Sequence, residues 1–155
     1  MDEKDELIIR VLGRRAGLSS RTLSKMLGIP ISTVHRRIKK LEHEGIIVGY
    51  KALINFEKTT WPIATLLLIN LSEATPGKGH IPKRIILNSL GSFKEIEEVT
   101  EVQAADFDLL VKARFKSLKK MSEFIEDLRS IEGIEETSSA IIIEETVLPP
   151  PILIG

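Results

Sequence analysis

Ser32, Thr33, Arg36, Lys39 and Lys40 lie close together in the chain, at intervals that gather them on one side of a helix of about 3.6 residues per turn. Hydroxyl, guanidinium and ammonium groups on one surface suit hydrogen bonding to phosphate oxygens and to base edges. His35 and Arg37 flank the same wheel, where each either binds phosphate or packs beside the core. A second group with chemical potential is Asp106 and Asp108, which bracket Phe107. Paired carboxylates can serve acid–base chemistry, but no His, Lys or Ser cluster accompanies them. They read as turn-forming acids or as partners for an α-amino group. His35, His43 and His80 lack metal-ligand spacing, and the chain has no cysteine. Neither a metal site nor a disulfide is expected, and no cofactor is implied.

The basic residues need a helix to carry them. Ile31, Val34, Ile38 and Leu41 supply its apolar side, and Glu44-Gly45 ends it. His43, in the last turn, reads as a partner of the helix dipole. Upstream, Asp5 to Leu12 has helical spacing at Leu7, Ile8, Val11 and Leu12. Ser19 or Ser20 then caps a short second helix that turns Leu23, Met26 and Leu27 inward and stops at Gly28. Two short helices joined by Gly-Ile-Pro, the second one basic, describe a helix-turn-helix. Ser20, Arg21 and Lys25 on the first of the pair face the phosphate backbone in that arrangement. Ile46 to Tyr50 is β-prone and predicts a strand, either a wing or the start of a connecting arm. Residues 1–51 form the helix-turn-helix domain, 52–60 a strand-containing linker arm, and 61–155 a second domain.

Charge supports the division. The net charge of the 155 residues is zero, yet residues 1–51 hold 11 Lys/Arg against 6 Asp/Glu and residues 52–155 hold 11 against 16. Nine basic residues and no acid lie between Leu7 and Leu41. That asymmetry is the footprint of a nucleic-acid module joined to something else. The 43% apolar and 28% charged composition is that of ordinary globular material. No apolar run reaches the roughly 18 residues a membrane helix needs, and the acidic start MDEKDELIIR lacks the basic character of a secretory signal. The cytoplasm is the expected location.

The second domain reads as strand 63–71, a helix from Lys83 to Ser89, and a strand over the latter half of Phe93 to Val102. After the AADFD turn come strand LLVKARF, a helix from Ser117 to Ile131, and a strand from Thr137 to Val147. This βαββαβ order is ferredoxin-like and makes the chain α+β. Two helices cover one sheet face and leave the other bare, which predicts a homodimer through that face. Trp61 reads as core or interface, and the VLPPPILIG tail as extended chain.

The segment LGIPISTVHRRIKKLEHEGIIVGYKALIN resembles the turn, recognition helix and arm of the leucine-responsive and asparagine-synthesis (Lrp/AsnC) family of transcription regulators, in its compact archaeal form. DFDLLVKARFKSLKKMSEFI and IEGIEETSSAIII are similar to the family's effector-sensing domain, and the resemblance covers Asp2 to Ile143. It implies sheet-mediated dimers that often assemble further, commonly to octamers. It also implies an effector, usually an amino acid, bound near the turn between the second and third strands at a subunit interface. Carried onto this chain, the effector residues are Gln103, Ala105, Asp106, Phe107 and Asp108 of the turn, with Thr137, Ser138 and Ser139 facing it. Ala105 stands where the family often has glycine, and Pro30-Ile31 replaces the usual Ser-Pro start of the recognition helix, removing a side-chain cap worth about 1 kcal/mol.

The resulting expectation is a sequence-specific, double-stranded-DNA-binding transcription regulator tuned by a small ligand. One rival is an architectural protein that wraps DNA with little sequence preference. Another is an enzyme like the haem-precursor decarboxylases, which share the two-part layout but need arginines and histidines that the second half, with His80 alone, lacks.

Overall fold

The computed structural model describes residues 1–72, 77, 79 and 81–148. His80 and the prolines of the tail lie outside the described residues. The chain divides into two compact units, one comprising Met1–Ile54 with the described residues from Thr146, the other Asn55–Glu145.

In the first unit, α1 (Glu3–Leu12), α2 (Ser20–Leu27) and α3 (Ile31–His43) surround a core of Ile8, Val11, Leu23, Ile29, Val34 and Leu41. Asp2 caps α1 through a reciprocal pair with Asp5, each carboxylate accepting the other's backbone N–H at 3.0 Å. Ser19 caps α2, its Oγ accepting from Thr22 N–H at 3.1 Å. Gly28 takes φ +64°, the left-handed conformation that lets α2 stop and α3 start three residues on. Pro30 precedes α3 without a side-chain cap, as its sequence predicts.

Three expectations for this half are corrected. Ile31 is 46% exposed rather than part of the core, because Ile29, turned inward ahead of Pro30, already fills that position at 5%. No strand forms over 46–50. The N–H groups of Ile46 and Ile47 both donate to Leu41 O, at 2.9 and 3.1 Å, closing the end of α3, and among the described residues no second strand faces Val48, which is 94% exposed. The linker 52–60 likewise carries no strand, only a single 3-10 turn at Phe56–Lys58.

The second unit runs β1 (Ile63–Leu71), α4 (Lys83–Gly91), β2 (Ile96–Glu101), β3 (Leu109–Phe115), α5 (Leu118–Arg129) and β4 (Ile134–Ile142). All pairings are antiparallel, in the order β2-β3-β1-β4. Alternation along the strands sends Leu67, Ile69, Leu109, Val111, Ala113 and Phe115 to the helical side, where Ile86, Leu90, Phe124 and Leu128 meet them. The predicted Thr137–Val147 strand is shifted. It starts at Ile134, directly after the positive-φ Gly133, and stops at Ile142, the last residue paired with β1, opposite Ala64. Thr137 to Ser139 therefore lie mid-strand instead of opening it.

On the sheet face away from the helices, Leu66, Leu68, Leu110 and Ile142 are only half-buried and Ala140 is exposed. At one end of this face Arg114 is buried between two carboxylates, 2.7 Å from Glu97 and 2.9 Å from Glu145. Its guanidinium stacks 3.6 Å from the Phe56 ring centre, and Lys112 also pairs with Glu145. Those two cations hold the Glu145 carboxyl below the ordinary carboxylate range, Lys112 contributing most.

Candidate nucleic-acid interface and sensing turn

The exposed side of α2 and α3 is basic. Arg21 and Lys25 stand exposed one turn apart on α2, and Ser20, at its first position, is half-buried. On α3, Ser32, His35, Arg36, Lys39 and Lys40 are exposed and Thr33 is half-buried. Lys39 lies 3.0 Å from Glu42 and Lys40 lies 3.8 Å from Glu44. Solvent-exposed pairs of this kind are weak and salt-screened, so an arriving phosphate competes with them readily. Arg21, Lys25 and Arg36 have no carboxylate partner among the described residues.

Glu42 also accepts the Tyr50 hydroxyl at 2.7 Å, tying the segment after α3 back onto the helix. That bond, followed by Lys39, lowers the Glu42 pKa; burial and then the hydrogen bond to Glu42 raise that of Tyr50.

Arg37 behaves differently from its neighbours. Its Nη1 sits 2.7 Å from both carboxylate oxygens of Asp2 and 2.8 Å from Asp5. The Asp5 side chain is 3% exposed, and the Arg37 Nε is buried without a hydrogen-bond partner. Hydrogen bonding to Arg37, reinforced by the Asp5 backbone N–H, lowers the Asp2 pKa to about 2; Asp5 is lowered by the same guanidinium first, then by the Asp2 backbone. Arg37 therefore links α3 to α1 instead of standing free for phosphate, and of the two roles its wheel position allows, the structure shows the internal one. The N-terminal Asp pair that recruits it was legible as a first-turn acid cluster but gave no sign of its partner.

At the other predicted site, the turn before β3 exposes Gln103, Ala105 and Asp106, and half-buries Phe107 and Asp108. Asp108 accepts the Leu71 N–H on its carboxylate at 2.8 Å, and its backbone N–H donates to Ile69 O at 2.8 Å. One carboxylate oxygen is thus spent on closing the end of β1, which is the turn-forming alternative for this acid. Ile69 pairs with Leu109 on one side and Thr137 on the other. The turn and the hydroxyl segment consequently share one end of the sheet, about 10 Å apart across β1. Thr137 and Ser139 point to the helical side with Ile69 and Leu67, while Ser138 shares the open face with Leu68. Thr137 Oγ1 is buried without a hydrogen-bond partner. An open depression of about 530 Å³ at the same end is lined by Ser72, Arg129 to Ile134 and Glu135, and includes none of the eight predicted effector residues. Among the described residues no group of three His, Asp or Glu side chains is placed to hold a metal, and no helix is long and apolar enough to cross a membrane.

Residues 1–48 match the winged helix-turn-helix DNA-binding domain family, and residues 84–152 match the Lrp/AsnC ligand binding domain. The HTH-type transcriptional regulator FL11 of Pyrococcus abyssi is 31% identical over 153 residues, covering 96% of both chains. The chain belongs to the Lrp/AsnC family of transcriptional regulators. Among solved structures, the Neisseria meningitidis transcriptional regulator NMB0573, determined as an L-Met complex, superposes with a TM-score of 0.77 at 25% identity and 96% coverage of each chain. Escherichia coli AsnC shares the fold, with a TM-score of 0.71 at 21% identity, covering 96% of this chain and 95% of that one.

As an Lrp/AsnC regulator, the protein is a DNA-binding transcription regulator with a ligand-binding domain, and its relatives are regulators rather than enzymes. The family's winged helix-turn-helix is present here in its three helices, without a strand at 46–50. Sequence reasoning missed the exposure of one residue on this candidate face of the Lrp/AsnC chain. Ile31, placed in the core by its spacing, is exposed at the first position of α3 beside Ser32. The proline before it was the available signal, since a capping residue leaves its successor at the helix rim.

Proposed function

We propose that this Lrp/AsnC regulator binds a near-palindromic DNA site as a homodimer or higher oligomer, with an amino acid tuning its affinity. The observation that carries the reading is α3 itself. It presents Ser32, Thr33, Arg36 and Ile31 at its leading end, and Lys39 and Lys40 behind them, within a stretch free of acids from Ile8 to Lys40. In the major groove, Arg36 reaches base edges, the short hydroxyls contact bases or backbone, and Ile31 offers an apolar surface to a thymine methyl. Ser20, Arg21, Lys25, His35, Lys39 and Lys40 hold phosphates. Dimerisation is supported by the half-buried Leu66, Leu68, Leu110 and Ile142 on the open sheet face, which a second copy would cover. Two-fold symmetry sets half-sites about 34 Å, one helical turn, or a multiple apart.

The effector reading rests on the ligand-binding family match, on the L-Met complex of the Neisseria relative, and on the unpartnered Thr137 hydroxyl near the 103–108 turn. An effector changes DNA affinity only by binding one quaternary arrangement better than another, and such couplings run to about 1–3 kcal/mol. Selecting bound duplexes from random DNA, with and without each natural amino acid, tests both parts. Enrichment of a dyad-symmetric motif supports sequence-specific regulation. Retention of all sequences alike replaces it with architectural wrapping.

A further inference from the structure

Lys58, Trp61, Lys94, Lys116 and Lys119 come from three separated stretches of the second unit, yet its topology brings them to one end. β1 starts there at Ile63, opposite Phe115, the last residue of β3. β2 and α5 begin at the same end, and Lys94 stands two residues before β2. Trp61 sits between two of the lysines, with Lys116 Nζ 5.3 Å and Lys94 Nζ 5.9 Å from its ring, both within cation–π range.

The cations of this unit are not treated alike. Lys83, Lys112, Arg114, Lys120 and Arg129 each have a carboxylate in ion-pair range. Lys58, Lys94, Lys116 and Lys119 are exposed and have none among the described residues. Arg84 is the only other described cation of the unit in that state, and it sits at the opposite end, in the first turn of α4. The first turn of α5 adds to the local potential, since it carries lysines and no acid where the helix dipole favours acids. An acidic half-chain that pairs most of its cations, yet leaves Lys94 and Lys116 without ion pairs on either side of Trp61 and Lys58 and Lys119 exposed at the same end, presents a positive surface there. The chain also enters the unit at this end, where Trp61 stands two residues before β1. The sensing turn lies at the far end of the sheet.

We infer that the Trp61–Lys94–Lys116 patch is a second DNA contact, holding the phosphate backbone of duplex that flanks the site read by α3. This rests on the DNA-binding reading of α3 and extends the footprint beyond it. The partner is fixed by charge complementarity. Ammonium groups without fixed carboxylates suit a continuous line of phosphates, and their contribution is sequence-independent and salt-sensitive.

The test uses the full chain and two duplexes carrying the same selected site, one about two helical turns long and one extended by about three turns on each side. Trp61 is the only tryptophan in the chain, so its fluorescence reports on the patch directly. The inference expects Trp61 emission to change with the long duplex and not the short one. It also expects Lys94→Ala with Lys116→Ala to flatten the long-duplex salt slope by about 2 units for each protomer engaged. Affinity for the short duplex and the melting temperature should be unchanged. Equal slopes for wild type and variant on the long duplex, with silent Trp61, overturn the inference while leaving the α3 reading intact. A Trp61 response to polyglutamate but not to the long duplex assigns the patch to an acidic protein and also overturns it. Failure to bind either duplex removes the α3 reading as well.

Discussion

Arg36 and Arg37 are adjacent in sequence but stand in different surroundings, so replacing each with alanine separates the proposed reading of DNA from holding the fold. Arg36 is exposed without a carboxylate partner among the described residues. Losing it should remove one base contact per half-site, about 1–3 kcal/mol each. Two half-sites make this about 2–6 kcal/mol if the contacts are independent, or about 30-fold to 10⁴-fold in affinity. The loss should fall on the selected site and spare random DNA. Arg37 instead closes three hydrogen bonds of 2.7 to 2.8 Å with Asp2 and Asp5. Arg37→Ala leaves the enclosed Asp5 carboxylate without its cation and should lower the melting temperature, with DNA affinity reduced equally on all sequences. Fluorescence anisotropy on selected and random duplexes, alongside thermal melts by circular dichroism, distinguishes the two variants. The reasoning is refuted if Arg37→Ala melts like wild type while losing the ratio of specific to random binding, because Arg37 would then be leaving Asp2 and Asp5 to read the site.

The same ion pairs set an acid limit. Asp2 is lowered from 3.8 to about 2 and Asp5 is also lowered, so the folded unit binds fewer protons than the unfolded chain, and this stabilisation is complete above pH 4 and is lost as pH falls toward 2. Melting temperature against pH should drop across that window in the wild type, and less steeply in Arg37→Ala. Gly133 has φ +96°, and a Cβ there would lie 2.7 Å from the Ile86 Cδ1. Backbone strain plus displacement of that buried side chain makes Gly133→Ala cost about 2–5 kcal/mol, partly recovered in an Ile86→Val background that lacks Cδ1; equal melting of the single and double variants would assign the whole cost to the backbone. Asp108→Ala should lower the melting temperature without any ligand, since Leu71 N–H loses its acceptor, at about 1–3 kcal/mol. If only the ligand-induced rise disappears, Asp108 is an effector contact instead. A panel of natural amino acids should contain at least one that raises the wild-type melting temperature, and none doing so removes the effector proposal.

Periodicity exposed most of the fold. Leu7, Ile8, Val11 and Leu12 announce α1, and LLVKARF alternates as the strand it forms, because side chains facing a core must repeat with their element's own period. What it missed lies where tertiary partners decide. Ile46 and Ile47 have strand propensity, but their N–H groups close α3 and no strand among the described residues pairs with them. The start of β4 at Ile134 follows its pairing with Leu71 at the end of β1, which no local pattern in residues 134–147 encodes. The wheel leaves Arg37 between binding phosphate and packing beside the core, because the partners that decide it lie 32 and 35 residues away, at the start of α1. The basic face of α3 was legible, since charge and helical spacing are both local. The sensing end was legible only as composition, because whether Asp108 turns a chain or grips a ligand depends on the strand it meets.

The account stands or falls on whether the basic side of α2 and α3 meets a duplex. Arg21, Lys25, Lys39 and Lys40 in two protomers would neutralise about eight phosphates, so log K measured by anisotropy on the selected duplex should fall with log salt at a slope of about −7. A protein that leaves double-stranded DNA unbound at about 10 mM salt, where screening is weakest, with every amino acid tested, would contradict it.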